Sequence, residues 1–313
     1  MSTTASAAPH PTQCALCGSS PPRLRFRLDG FDTVECPRCG LVWIVLQMSA
    51  DELTKLYGAE YFQERGSYFF DNAVADPGKG EETEVIRDFG RGIDRIERFR
   101  KAGRLLDVGC GVGVFLGVAK SRGWDVTGVD VSEYASGYAR DRLGLDARTG
   151  HLDEVGLPEK SFDVITLWDV FEHFPDPVRQ LGEVRRLLKD DGIILLDTPN
   201  ERGLLRELSR WIYKASGGTV QYPAKKLHHV YHLFYYSPET LKRMLEKAGF
   251  EIVDFEKKVI PPLKARGSAL EKAMVGAFGR VERALGREFE LLLIARKAGE
   301  KPVQNASRAE ARS

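Results

Sequence analysis

No stretch of the 313 residues is apolar for long enough to cross a bilayer, so no stable membrane insertion is expected. An excess of one charge is also missing. Lys and Arg number 46 against 45 Asp and Glu, a net +1, and so balanced a chain has no overall field to draw nucleic acid or an anionic surface. The opening MSTTASAAPHPTQ lacks the basic-then-apolar order of a secretory leader. Cysteines are few, five in all, and four of them fall in two C-x-x-C pairs. That usage suits metal binding in a reducing compartment better than a disulfide framework. A soluble, cytoplasmic protein is the expectation.

The chain divides by composition. Residues 1–13 are small and polar and are expected to be disordered, as is the charged, Ala-rich tail 298–313. Residues 14–50 form a compact cysteine-bearing segment, with RLRFRL alternating as a strand and LVWIVL (41–46) as a second. One helix is expected over 51–62, capped by Ser49 or Asp51, and a mobile loop over 71–80. From 81 to 297 helices and strands alternate. The helices are 81–101, 114–123, 132–144, 178–192 and 237–250. The strands are 104–109, 125–130, 145–150, 161–168, 193–199, 251–258 and 288–297. Such alternation implies an α/β fold, a doubly wound, mostly parallel sheet with helices on both faces. Two insertions, 201–230 and 261–287, fall at loop positions where substrate-specific lids are built.

The sharpest signal is LLDVGCGVGVFL (105–116), a buried strand running through Gly109, Gly111 and Gly113 into a helix. Glycines there let the backbone turn tightly and bring free N–H groups to a ligand. A dinucleotide fingerprint would need a third glycine where Val114 or Leu116 stands, and no GK[ST] marks a phosphate loop. Asp107 within the motif would repel a pyrophosphate and favour a ligand with a cationic end. In GVDVS, Asp130 with Val131 beside it stands 21 residues after Gly109, placed for a carboxylate that takes two ribose hydroxyls.

Over residues 80–297 the chain resembles the class I S-adenosylmethionine-dependent methyltransferases. LLDVGCGVG, GVDVS, SFDVITLWDVFEHFPDP, KDDGIILLDTPN and SPETLKRMLEKAGFEIVDF carry the likeness in order. The resemblance implies a seven-stranded Rossmann-like sheet and S-adenosylmethionine as cofactor. Its glycine loop would pack on the methionine portion and Asp107 would help fix the amino group. Where relatives often carry an acid after the third strand, this chain has Gly150, His151 and Leu152, so Leu152 is expected to offer its backbone to the adenine.

Methyl transfer from a sulfonium is an in-line displacement that needs alignment, a dry site and, for a protonated acceptor, a base. Aromatic candidates around the cation are Tyr61, Phe62, Tyr68, Trp168 and Phe171. Candidate bases are His173, then His229 and His232, weighed against purely structural hydrogen bonding. Cys110 reads as a small packed side chain, since no neighbour would lower its pKa.

Cys14-x2-Cys17 and Cys36-x2-Cys39, 18 residues apart, have the spacing of a four-cysteine zinc ribbon, each pair followed by a glycine. Four thiolates leave zinc no open position, so a structural Zn2+ is expected. The segment carries Arg23, Arg25, Arg27 and Arg38 against Asp29, Asp32 and Glu35, and no nucleic-acid partner is expected. A ribbon of this kind resembles that of a subset of methyltransferases, sugar C-methyltransferases among them, whereas the EHFPDP loop resembles the quinone and phenolic O-methylating branch. The acceptor expected is a small molecule, a sugar or natural-product precursor first and a phenol second, with RNA modification as a third reading. The oligomeric state is not legible.

Overall fold

The computed structural model describes residues 13–28, 31–45, 50–64, 83–229, 231–259 and 269–299. The expectations for both tails, for the 71–80 loop, for Ser49 and for Tyr68 lie outside these residues, except at their inner edges.

The described chain opens with three antiparallel strands, β1 (Arg23–Leu28), β2 (Phe31–Glu35) and β3 (Val42–Val45). Two short helices follow, α1 (Ala50–Lys55) and α2 (Ala59–Glu64). Then come α3 (Glu84–Ile96), β4 (Arg104–Val108), α4 (Val114–Ser121), β5 (Asp125–Asp130), α5 (Glu133–Leu143) and β6 (Asp146–Thr149). Next are β7 (Phe162–Trp168), α6 (Pro177–Leu187), β8 (Leu188–Pro199), α7 (Leu204–Ala215), α8 (Tyr222–Leu227) and β9 (Phe234–Tyr235). The chain closes with α9 (Pro238–Lys247), β10 (Phe250–Lys258), α10 (Ala269–Leu285) and β11 (Glu290–Lys297).

Seven strands form one sheet in the order β10-β11-β8-β7-β4-β5-β6. β8, β7, β4, β5 and β6 run parallel, and β11 and β10 are antiparallel to their neighbours. The mostly parallel, doubly wound expectation is therefore met. After β6 the chain returns to the far side of β4, so β4 and β7 flank the point where strand order reverses. Loops at their carboxyl ends diverge there and leave a crevice.

Local chemistry explains most boundaries. Ser237 caps α9 in a reciprocal box with Thr240, and Pro238 takes the first helical position. Asp176 accepts from Arg179 N at the start of α6, ahead of Pro177. Two expectations are corrected. The helix expected over 178–192 ends at Leu187, and β8 begins at Leu188. Leu188 pairs with Phe162 and is buried, with an irregularity before Val164 that admits the extra length. The single helix over 51–62 is two, broken at Leu56–Gly58 by bonds of three-residue span, and Asp51 lies inside α1 rather than capping it.

The cysteine-bearing segment is not set apart from the rest. β3 pairs with β9, Val42 opposite Tyr235 and Trp43 opposite Phe234, so a strand that follows the first insertion completes its sheet. Leu16, Val34, Leu41 and Trp43 join the same apolar core as Leu106, Ile165 and Leu196. Polar bonds fasten it too. Lys247 Nζ donates to the carbonyls of Ala15 and Leu16, and the Tyr213 hydroxyl accepts from Arg27 N at 3.1 Å. The register slips between Leu24 and Phe26, which turns Arg25 inward onto buried Glu201 at 3.0 Å. Arg27 is spent on Asp32. The three arginines therefore present no shared basic face. Burial alone would raise the Glu201 carboxyl, but His228, Arg25 and Arg206 around it outweigh burial and hold it at about 2.

Candidate active site

The glycine loop follows β4 as the sequence implies. Gly109, Gly111 and Gly113 have φ of 75°, 53° and 88°, all left-handed. Side chains at two of them are excluded by crowding: a Cβ on Gly109 would meet Val170 at 2.5 Å and one on Gly113 would meet Leu145 at 2.7 Å. At Gly111 a Cβ would find nothing nearer than Phe62 at 3.8 Å, so this glycine borders open space. Gly113 caps α4 with no side-chain bond to the first N–H groups of that helix.

Asp130 ends β5 with both oxygens engaged: Oδ2 accepts from Gly111 N and Oδ1 from Ser132 N, each at 2.8 Å. A carboxylate has about four acceptor directions, so these bonds aim it without exhausting it. Asp107 is buried, and Thr166 Oγ1 donates to its Oδ1 at 2.7 Å. Burial, opposed by the Thr166 bond and aided by the charge of Asp130, raises the Asp107 carboxyl to about 8. Cys110 is packed, and burial pushes its thiol well above the usual range, in keeping with a structural role.

A cavity of about 820 Å³ opens along this loop. Asp107, Gly109, Gly111, Asp130, Val131 and Leu152 line it. Trp168 lines it as well, wedged between Phe89 at 5.1 Å and Phe115 at 5.3 Å. Gly113 is the one cofactor candidate that does not line it. Tyr61 and Phe62 of α2 close over the glycine loop, their rings 5.1 Å apart. Phe171 does not belong there. It is fully buried and stacked on Tyr236 at 4.9 Å, because the short 3-10 turn Phe171–His173 sends it into the core and His173 outward.

The three candidate histidines line the same cavity and meet there. His173 and His232 rings lie 4.8 Å apart, and His232 and His229 rings 4.0 Å apart. His173 Nδ1 sits 2.6 Å from the Tyr231 carbonyl and 2.8 Å from the Tyr57 hydroxyl. A carbonyl only accepts, so Nδ1 carries the proton and Nε2 the lone pair. His228, next in sequence, is excluded from this group: it is buried against Glu201, 3.2 Å away.

Two residues at or beside this cavity were invisible to sequence reading. Tyr57 reaches His173 because the helix break at Leu56–Gly58 turns it there. Lys258 lies 5.6 Å from the Trp168 ring and bonds Asp197 at 2.7 Å, with Asp88 and Glu290 at 3.4 Å. No motif marks Lys258, which is the second of two adjacent lysines at the end of β10.

At the ribbon, the four cysteine sulfurs lie within 4.8 Å of one another, with Cys14 and Cys39 at 3.4 Å and Cys17 and Cys36 at 3.5 Å. Tetrahedral zinc with bonds of about 2.3 Å needs sulfurs about 3.8 Å apart, whereas a disulfide needs about 2.05 Å. The donor set therefore fits a closed four-thiolate site. Burial would raise the Cys36 thiol, but the N–H groups of Cys39 and Arg38 outweigh it and bring it down to about 7. Gly18 and Gly40 are left-handed, as a reversing turn requires, although Gly40 N donates to the Cys36 carbonyl rather than to sulfur.

Residues 82–254 match the family model described as "Methyltransferase domain". The chain is similar to a "Probable S-adenosylmethionine-dependent methyltransferase" of Mycolicibacterium smegmatis, 31% identical over 180 residues, 57% of this chain and 63% of that protein. It is 29% identical over 196 residues to the ubiquinone biosynthesis O-methyltransferase of Dinoroseobacter shibae, covering 60% of this chain and 76% of that one. Among solved structures, the PH0226 protein from Pyrococcus horikoshii OT3 superposes with a TM-score of 0.51 at 19% identity, over 76% of this chain and 98% of that chain. That likeness concerns the fold. The chain spans less than two thirds of the mycobacterial relative's length.

Proposed function

The chain belongs to the methyltransferase-domain family, and on that premise we propose that it transfers a methyl group from S-adenosylmethionine to a small molecule bearing an acidic hydroxyl, a phenol or catechol. One observation carries the proposal: the glycine loop with Asp107 and Asp130 and the imidazole wall of His173, His229 and His232 line a single cavity. Donor and acceptor would thus share one enclosed space. S-adenosylmethionine supplies the methyl group on a sulfonium that is already a good leaving group. The residues of the chain align, exclude water and manage a proton. Asp130 would take the ribose hydroxyls, Asp107 the ammonium, and the backbone at Gly150–Leu152 the adenine. Tyr61, Phe62 and Trp168 would keep water from the cation. The acceptor's proton would pass to the histidine cluster, where the Tyr231 carbonyl fixes the tautomer of His173. Cys14, Cys17, Cys36 and Cys39 would hold a structural zinc ion.

The phenolic reading is favoured by aromatic walls beside imidazoles, and the Dinoroseobacter relative is named for O-methylation in ubiquinone biosynthesis. A sugar acceptor is the second reading, supported by the ribbon that β9 joins to the domain. The test is product mass after incubation with methyl-labelled S-adenosylmethionine and parallel panels of catechols and nucleotide sugars. A mono-O-methylated catechol is expected, with kcat about 10²- to 10⁴-fold lower in His173→Ala and cofactor affinity unchanged. Methylated sugar alone would replace the first reading with the second, and no product in either panel would overturn both.

Asp107 supplies a pH test. Raised to about 8, it carries a proton at pH 7 in the free protein. An ammonium seated against it favours the ionised form, so the proton leaves on binding and affinity rises with pH up to about 8. Calorimetry at pH 7 in buffers of unequal ionisation enthalpy should read about 0.9 proton released per cofactor bound, the fraction protonated one unit below the pKa. Zero release would remove Asp107 from the ammonium site.

A further inference from the structure

We propose that Glu172, His173 and His232 form a second metal site, distinct from the four cysteines, that takes a divalent first-row ion at the acceptor end of the cavity. One nitrogen or oxygen from each of the three can be chosen so that all lie within 4.8 Å of one another. Glu172 Oε1 is 3.8 Å from His232 Nε2 and 4.0 Å from His173 Nε2. These gaps are too long for hydrogen bonds. They are close to what a metal needs, since bonds of about 2.1 Å put neighbouring ligand atoms about 3.0 to 3.4 Å apart. Closing the two Glu172 gaps of 3.8 and 4.0 Å to about 3.4 Å shortens them by about 0.4 and 0.6 Å.

Two features independent of that spacing point the same way. Glu172 is 1% exposed and its Oε1 has no hydrogen-bond donor among the described residues, although it is aimed at two imidazoles. A buried carboxylate oxygen that receives no hydrogen bond is unsatisfied unless a cation stands against it. The outer bonds are those that fix metal ligands: His173 Nδ1–H donates to the Tyr231 carbonyl at 2.6 Å, and Thr198 Oγ1 donates to Glu172 Oε2 at 2.8 Å. The first turns Nε2 inward, and the second leaves Oε1 as the oxygen on offer. Two imidazoles and one carboxylate with open positions are a donor set that suits Mn2+, Fe2+, Co2+ or Zn2+.

Both histidines line the cavity, so the open positions face the acceptor. A pair of adjacent oxygens, as in a catechol, would complete the shell and lose a proton more readily there. This role rests on the methyl-transfer reading; the metal site itself does not. With the ion in place, His229 is the imidazole beside the site that accepts the proton.

Mn2+ is the probe, because it avoids thiolates and leaves the cysteine site to zinc. Titrated into the full, zinc-loaded chain, it should bind one equivalent by EPR, and the pulsed spectrum should carry ¹⁴N modulation from imidazole. Glu172→Gln and His232→Gln should each weaken binding at least tenfold, with S-adenosylmethionine affinity retained as the check on folding. No stoichiometric Mn2+ binding at millimolar concentration, or bound Mn2+ without ¹⁴N modulation, would overturn the site whatever the variants do. Mn2+ bound as expected in a chain that binds no S-adenosylmethionine would uphold the metal site and sink the methyl-transfer reading.

Discussion

Cys36→Ser is expected to empty the ribbon of zinc and to cost about 4 kcal/mol or more of stability, the range reached by loss of a structural metal. The effect should reach the active site. β3 is held in its turn by Cys36, whose N donates to the Leu41 carbonyl at 2.8 Å, and β3 in turn pairs with β9. β9 follows directly on His229 and His232, and Ile44 N donates to the Leu233 carbonyl at 2.9 Å. Releasing the metal should therefore loosen the histidine wall before it loosens the glycine loop, which hangs from β4. Metal analysis should show zinc falling from about one per chain to near none. kcat/KM should fall at least tenfold while S-adenosylmethionine affinity stays within about threefold. Zinc loss with turnover intact would make the ribbon an independent appendage, contrary to the shared sheet.

Asp130→Ala should weaken S-adenosylmethionine binding about 100-fold. Two charge-assisted bonds to ribose hydroxyls, at roughly 1.5 kcal/mol or more each, amount to about 3 kcal/mol, and 1.4 kcal/mol is a factor of ten. The same carboxylate accepts from Gly111 N and Ser132 N, so the variant also frees the glycine loop. Asp130→Asn separates these parts. Its amide oxygen can still accept one of the backbone bonds, so the loop should hold better and the loss should be smaller, about tenfold. Calorimetric titration of both variants is the measurement. Near-normal affinity in Asp130→Ala would remove this residue from the cofactor site.

What could be read in advance was chemistry carried by neighbours in the chain. The run of Gly109, Gly111 and Gly113, Asp130 at a strand end, the Ser237–Pro238 helix start and the two C-x-x-C pairs all owe their meaning to spacing over a few residues. Backbone geometry at such distances follows from residue type alone, since only glycine relieves φ of 53° to 88° without cost. Alternating apolar patterns likewise announced the sheet, and the central strands appeared where they were expected. The short β2 and the two-residue β9 escaped notice, because strands this brief are defined by their partners rather than by their own pattern.

Tertiary structure alone decided how the parts meet. It joined the ribbon to a two-residue strand some 190 residues later in the chain, turned Tyr57 onto His173 through a broken helix, and drew Phe171 into the core while leaving His173 at the cavity. It also buried Glu172 between two imidazoles that are 59 positions apart in sequence. Phe171, Glu172 and His173 are consecutive, yet they face the core, a polar pocket and the cavity respectively. Their directions depend on a single 3-10 turn and on what packs around it. Residue identity sets which bonds a side chain can make; only the packing of distant segments sets which partners lie within reach.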